Sequence, residues 1–437
     1  MEWYLALLAI MGSLLVFMVA GIPVAFCFIL VNVIGAFLFW GGLAGIEQLM
    51  ISLYSSLATF ILLPLPMFIL MGEILFYSGV APLLIESLDK LLGRLPGRLS
   101  FLAVGAGTLF STLTGTSMAS VAMLGSILVP EMEKRGYKKA MSLGPILGSG
   151  SLAHMIPPSA LGVLLGAIAL ISIGRILIAI IIPGLLVATI FAIYIFIRCK
   201  LQPSLAPTYE VPPTSLSDKV MSFVRYVLPV GLVIFLVVGV IFMGIATPSE
   251  AAATGAIGSF ILAAIYRKLN WEVVKKSVAS TARITVMILM IIAGASAFGQ
   301  NLAFTGASRG LVELAVGFAV TPIIIVVAMQ VVVMILGAFM ECASILMITL
   351  PLFIPIVLTL GYDPVWFAVL MLINLEMAVI SPPVGLCLFT MKGVAPPDTT
   401  MGDIYKAALP FLGLDLIAMV LILVFPQIAL WLPSVMR

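Results

Sequence analysis

Six hydroxyl side chains fall within ten residues of one apolar stretch: Ser111, Thr112, Thr114, Thr116, Ser117 and Ser120, around Gly115. A turn here leaves backbone carbonyls and amides without helical partners. Carbonyls together with hydroxyls make a hard-oxygen site suited to a cation such as Na+. The amide end of the helix after the turn suits an anion. Further on, Ile156-Pro157-Pro158-Ser159 follows Gly148-Ser149-Gly150-Ser151. Tandem prolines remove two amide donors, so the helix must open and free carbonyls around residues 151–155. Ile380-Ser381-Pro382-Pro383 repeats the device. Between them lies Gly337-Ala338-Phe339-Met340-Glu341-Cys342-Ala343-Ser344, where Glu341 sits midway along an apolar run. An ionisable group at such depth is a functional candidate that completes a cation site or carries a proton. Glu376, just before Ser381, is a second candidate. Glu250, in Thr247-Pro248-Ser249-Glu250, reads as an N-terminal capping carboxylate. Glu73 and Asp415 read as groups paired within a scaffold or at a subunit interface. His154, the single histidine, reads as a hydrogen-bonded packing group, with a proton relay as the alternative.

The elements that must position these residues follow from composition. Of 437 residues, 63% are hydrophobic and 9% charged, against about 25% charged in soluble domains. That excludes a soluble protein, a nucleic-acid-binding domain and a disordered tail, and predicts an all-α polytopic membrane protein. The four cysteines are widely spaced, which argues against a disulfide framework or a zinc site. The N-terminus lacks a basic region before its apolar run, so the first helix is expected to be retained rather than cleaved as a signal. Spans are predicted at about 4–20, 22–42, 56–79, 139–172, 176–198, 220–244, 248–266, 283–307, 363–391 and 407–434. Two further apolar regions, about 98–133 and 320–358, are interrupted by small or polar residues and read as re-entrant hairpins. Gly45–Ser56 and Asn270–Ala282 read as amphipathic, the second as an interfacial helix. With the N-terminus outside, 18 of the 21 Lys and Arg residues fall inside, the exceptions being Arg175, Arg309 and Arg437. Treating 98–133 as a full span would break this partition.

An offset of 225 residues aligns the two halves. Pro23 pairs with Pro248, Pro130 with Pro355, Gly136-Tyr137 with Gly361-Tyr362, and Pro157-Pro158 with Pro382-Pro383. A slip of two residues adds Gly72-Glu73 with Gly299-Gln300. An odd number of crossings between the repeats inverts the second. The predicted organisation is a first inverted repeat over 1–175, a connecting helix and cytoplasmic linker over 176–219, a second repeat over 220–392, and a C-terminal helix over 393–437. Inverted repeats with broken helices mark secondary transporters, with the site near the midplane. No GxxxxGK[ST], GxSxG or HExxH motif occurs, so an ion gradient is the expected driving force and no enzyme activity is expected.

The runs Pro66-Met67-Phe68-Ile69-Leu70-Met71-Gly72, Thr114-Gly115-Thr116-Ser117-Met118-Ala119-Ser120-Val121-Ala122, Ile156-Pro157-Pro158-Ser159, Thr247-Pro248-Ser249-Glu250-Ala251-Ala252 and Ser381-Pro382-Pro383-Val384-Gly385 carry a family resemblance. As a set, over nearly the whole chain, they resemble the large membrane subunit of TRAP (tripartite ATP-independent periplasmic) transporters. The resemblance implies an elevator-type fold in a bacterial inner membrane, and the charge partition then makes the N-terminus periplasmic. It implies sodium symport of an organic acid such as a C4-dicarboxylate, a sialic acid or a similar carboxylate. The implied partners are a small four-helix membrane subunit, expected as a separate chain, and a periplasmic substrate-binding protein. Na+ is the coupling ion and no organic cofactor is expected. Sodium is expected at Thr114, Gly115, Thr116, Ser117, Pro157 and Ser159 in the first half, and at Gly337, Glu341, Ser344, Ser381 and Pro382 in the second. The organic anion is expected at Ser120, Ser151, Cys342 and Glu376. The first tip of the family often reads Ser-Gly-Ser where this chain has Thr114-Gly115-Thr116, which keeps the hydroxyls. The second tip commonly carries Asp where this chain has Glu341. Two other readings compete: a stand-alone ion-coupled carboxylate carrier of the divalent-anion symporter class, and an intramembrane hydrolase using Ser117 and His154.

Overall fold

The computed structural model describes residues 2–93, 95–114, 116–207, 215–317 and 319–436, with the side chains at 81 and 111–114 outside that description. Among the described residues every regular element is a helix. Seven of these helices are long and apolar enough to cross a membrane. The chain is an all-α, multi-pass membrane protein.

The two interrupted apolar regions are helical hairpins. Arg98–Thr114 turns into Ser117–Lys134, and Pro322–Gly337 turns into Cys342–Thr359. The second helices of the pair begin at Ser117 and Cys342, 225 positions apart. Each hairpin rests on a helix that stops short. Gly144–Ser151 tightens into a 3-10 turn over Leu152–His154, and a new helix starts at Ala160–Ala169. Pro364–Val379 stops, and Leu386–Val394 starts again. The tandem prolines explain both stops, since neither ring can donate to the carbonyl one turn back. At the first break Ser159 Oγ donates to the freed His154 carbonyl over 3.0 Å and accepts from the Gly162 amide at 3.1 Å, which caps the restarted helix.

The halves interlock. Ser117–Lys134 packs on Leu386–Val394, and Cys342–Thr359 packs on Ala160–Ala169. Glycines allow the closest approaches within each half: a Cβ at Gly107 would strike Ser149, and one at Gly337 would strike Ala378. A second group of helices, Val24–Phe39, Pro64–Tyr77, Leu228–Phe242, Pro248–Ile265 and Trp271–Phe304, packs together alongside.

Several boundaries differ from the sequence expectation. Residues 270–282 and 283–307 form one helix of 34 residues, Trp271–Phe304, not an interfacial helix and a separate span. No proline or glycine lies between Trp271 and Ala293 to stop it. In the first half the matching stretch is divided, because Pro64 and Pro66 start a new helix after Leu43–Leu57. Two helices absent from the sequence reading, Val80–Leu91 and Ala307–Gly317, follow Gly79 and Gly306, both in the left-handed region. Region 407–434 divides at Phe425 and Pro426 into Met401–Val424 and Gln427–Ser434.

Candidate functional site

Both hairpin tips and both helix restarts meet at one cleft of about 840 Å³, open mouth included. Thr116, Ser117 and Met118 line it from the first tip, and Glu341, Cys342 and Ala343 from the second. Ala160 and Leu386 line it from the restarts, and His154 from the first break. Residues 117, 160, 342 and 386 are the first residues of their helices. Four helix N-termini therefore open onto the same space. Each brings a partial positive charge and first-turn amides without helical partners, a combination that attracts anions, with one amide already capped by Ser159 at the Ala160 helix and one by Glu341 at the Cys342 helix. The remaining wall is apolar, with Ile69, Leu161, Leu164, Ile284 and Ile288.

In the first half Ser117 Oγ lies 3.1 Å from His154 Nε2, both groups nearly fully buried. This hydrogen bond ties the hairpin tip to the break. Thr116 precedes Ser117 as the extended N-cap residue and faces the cleft. Ser159 is buried with its hydroxyl engaged in the cap. Pro157 borders a different, apolar groove with Ile156 and Phe235. The Thr114 side chain and Gly115 lie outside the described residues.

In the second half Glu341 is exposed to the cleft and caps its own helix. Its Oε1 accepts from the Ala343 amide at 3.3 Å, and its Oε2 accepts from Ser344 Oγ at 3.2 Å. Cys342 Sγ donates to the Leu375 carbonyl over 3.6 Å. Ser344 and Gly337 are buried, Ser381 is nearly so, and Pro382 is partly exposed at the second break. Thus the cleft gathers Thr116, Ser117, Glu341 and Cys342 of the sequence candidates.

Ser120, Ser151 and Glu376 are fully buried and stand outside the cleft lining. Ser151 Oγ lies 2.7 Å from the Gly148 carbonyl and 3.3 Å from Glu376 Oε1. Glu250 forms the expected capping box, with its Oε2 accepting from the Thr247 amide at 2.8 Å. Of the two places expected for Asp415, a scaffold or a subunit interface, its full burial inside this chain excludes the interface. Glu73 meets Ser280 of the long helix. The apolar wall was missed at the sequence level, because nothing distinguishes Ile284 or Leu164 from core residues until the helices are packed.

The TRAP-transporter family model for the DctM component matches residues 11–428. The chain is 33% identical over 392 residues to a C4-dicarboxylate TRAP transporter large permease protein of Pseudomonas aeruginosa, covering 89% of this chain and 90% of that one. It is 32% identical to the protein of the same description from Vibrio cholerae, covering 96% and 95%. Among solved structures it is similar to the Alcanivorax borkumensis YdaH transporter, with a TM-score of 0.66, 16% identity and 91% coverage of both chains. At that identity the likeness speaks for the fold. A family model spanning nearly the whole chain and two relatives above 30% identity agree: this protein belongs to the DctM-component family of tripartite ATP-independent periplasmic transporters.

Proposed function

We propose that the protein is the large membrane subunit of a sodium-coupled importer of an organic acid. A periplasmic binding protein delivers the acid, and a small membrane subunit completes the complex in the bacterial inner membrane. The observation that carries this reading is the convergence of four helix N-termini and both hairpin tips on one cleft. The N-termini favour a carboxylate, and the apolar wall suits the carbon skeleton of a small acid. Sodium would add positive charge beside the carboxylate. Thr116 and Ser117 with neighbouring carbonyls would hold it in the first half, and Glu341, Ser344 and the carbonyls near Ser381 in the second. Binding of ion and anion would then be mutually reinforcing, which is what symport requires.

Two ion pairs support an inverted arrangement of the halves with the N-terminus periplasmic. Lys139, at the start of the first broken helix, pairs with Asp398 after the second at 2.8 Å. Arg175, after the first broken helix, pairs with Asp363 at the start of the second at 3.4 Å. Lys139 falls on the inner side of the charge partition and Arg175 on the outer side. The hairpins and broken helices form the body that would move as an elevator against the adjoining helices.

The test is uptake of labelled carboxylates, a C4-dicarboxylate first, into proteoliposomes holding this chain and its small subunit. Uptake that requires both binding protein and an inward sodium gradient is expected. Sodium-driven uptake indifferent to binding protein would favour the stand-alone carrier. The Ser117–His154 distance also meets the reach a base needs to a nucleophile. We read the pair as a structural latch, since among the described residues His154 Nδ1 has no hydrogen-bond partner to orient the ring for general-base work. His154→Ala should retain part of the uptake, whereas a hydrolase would lose all activity.

A further inference from the structure

Ser151 and Glu376 are equivalent positions at the 225-residue offset, and they hydrogen-bond to each other over 3.3 Å. A bond between equivalent positions lies where the two halves meet. In the second half the position carries a carboxyl group instead of a hydroxyl. A second carboxyl group, Asp415, lies on Met401–Val424, which packs on both Gly144–Ser151 and Pro364–Val379. The Trp366 indole donates to the Ile422 carbonyl over 2.9 Å, which sets that helix alongside Pro364–Val379. One turn before Asp415, Phe411 packs where Gly144 and Gly148 leave room on the first broken helix. Glu376 and Asp415 are both fully buried, on helices that pack against each other. Among the described residues, Glu376 Oε2 and both Asp415 oxygens have no hydrogen-bond donor.

Among the described residues neither carboxyl forms an ion pair. Besides the basic groups, the titratable groups on these two helices and on the helices packed around them are His154, Tyr194, Cys199, Cys342, Cys387, Asp403 and Tyr405. His154 is turned to Ser117. The basic groups stand at helix ends: Lys139 is held by Asp398, Arg175 by Asp363 and Lys392 by the Thr399 carbonyl. Arg198 and Lys200 lie in the last turn of their helix, and Lys406 lies in the second turn of its own. Two carboxylates buried together without a counter-charge repel each other and forgo hydration. A proton shared between them removes one charge and supplies one O–H donor, which accounts for two of the three orphan oxygens.

We propose that Glu376 and Asp415 form a proton-binding site buried where the two halves meet, and that the bound proton keeps the hairpin and broken-helix core packed. One proton binds between the carboxyl groups, leaving one O–H that donates to the other carboxylate. The site is separate from the cleft, and its loss at high pH would loosen the core without touching the tips.

The test uses the 437-residue chain in lipid nanodiscs, read by infrared spectroscopy and thermal unfolding from about pH 6 to about pH 9. At neutral pH the wild type should show a protonated-carboxyl C=O band that Glu376→Gln/Asp415→Asn removes. The band should fade as pH rises, and the wild-type unfolding temperature should fall by several degrees with it. The double variant, which carries its donors permanently, should hold a flat profile. No band removable by either substitution at neutral pH would overturn the proposal. So would a band abolished by sodium chloride together with a rise in unfolding temperature, which would make the pair a metal-cation site. If the double variant does not fold, Glu376→Gln and Asp415→Asn singly decide, since each must alter the wild-type band. The readouts involve no transport, so this result and the sodium-import result stand or fall separately.

Discussion

At the 225-residue offset, Thr116, Ser117 and His154 of the first half stand opposite Glu341, Cys342 and Val379 of the second. The backbone devices are shared: a hairpin tip, a proline-broken helix, and helix N-termini opening on one cleft. The side-chain chemistry is not. The first tip is latched across to its break through Ser117 and His154. The second tip is capped upon itself through Glu341, Ala343 and Ser344, with only a thiol reaching the broken helix. The frame that presents amides is thus common to both halves, whereas the groups that would tune an ion site are particular to each. A formal negative charge stands at one tip only.

The largest effects are expected where both halves use glycine to bring hairpin and broken helix together. Gly107→Val and Gly337→Val would drive a side chain into Ser149 and Ala378 respectively. Overpacking of this kind costs about 1–3 kcal/mol, so both variants should lose several degrees in thermal unfolding, to a similar extent. A sharp difference between them would break the equivalence of the halves.

Next in size is the latch. Among the described residues, Ser117→Ala leaves His154 with neither ring nitrogen partnered in a buried site, a loss of about 1–3 kcal/mol. Cys342→Ala removes only a weak S–H donor and should unfold closer to wild type. The unfolding temperatures of the two variants, measured side by side, check this.

Glu341→Gln and Thr116→Ala probe the unequal charge. Loss of the carboxylate should raise the half-saturating sodium concentration about tenfold, equivalent to ~1.4 kcal/mol. Loss of the hydroxyl should raise it about threefold. Unchanged sodium dependence in Glu341→Gln would reduce that residue to a helix cap.

The smallest effects belong to the two end clasps. Lys139→Ala and Arg175→Ala should each shift unfolding by no more than about 2 °C, because exposed ion pairs contribute little. A hydrogen bond from Lys139 holds the Asp398 carboxyl below its ordinary value, and the same bond holds the lysine above its own. Asp398 therefore contributes stability above its unfolded pKa and loses it as pH falls through the depressed folded value. Lys139 contributes below its unfolded pKa and loses it as pH rises through the elevated one. The clasp should be insensitive to pH across the neutral range, which separates it from the alkaline loosening expected at Glu376 and Asp415.

Much of this architecture is legible in the residues themselves. Pro157-Pro158 and Pro382-Pro383 mark the breaks, because a missing amide is a local property. The hairpin over 98–133 follows from hydroxyl-rich sequence in its middle and basic clusters at both ends. Thr116, Ser117, Glu341 and Cys342 stand out as polar groups in apolar runs, and they meet at the cleft. What could not be read depends on packing. Asp415 looks like any polar residue on a membrane helix until Trp366 and Phe411 fix the helix against its neighbours. Ser120 has the same local signature as Ser117, yet it is fully buried away from the cleft lining. The continuous Trp271–Phe304 helix was read as two because its basic, amphipathic start differs in composition from its apolar remainder, while nothing in the backbone chemistry divides it.

The account turns on an organic anion and sodium meeting at one cleft. The most direct measurement is the initial rate of labelled C4-dicarboxylate uptake by proteoliposomes containing this chain, its small subunit and the binding protein. It is taken with an inward sodium gradient and with an equal potassium gradient. Uptake with sodium that disappears with potassium, and that Glu341→Gln shifts to higher sodium, is the predicted result. Equal uptake under both gradients would contradict sodium coupling at the hairpin tips.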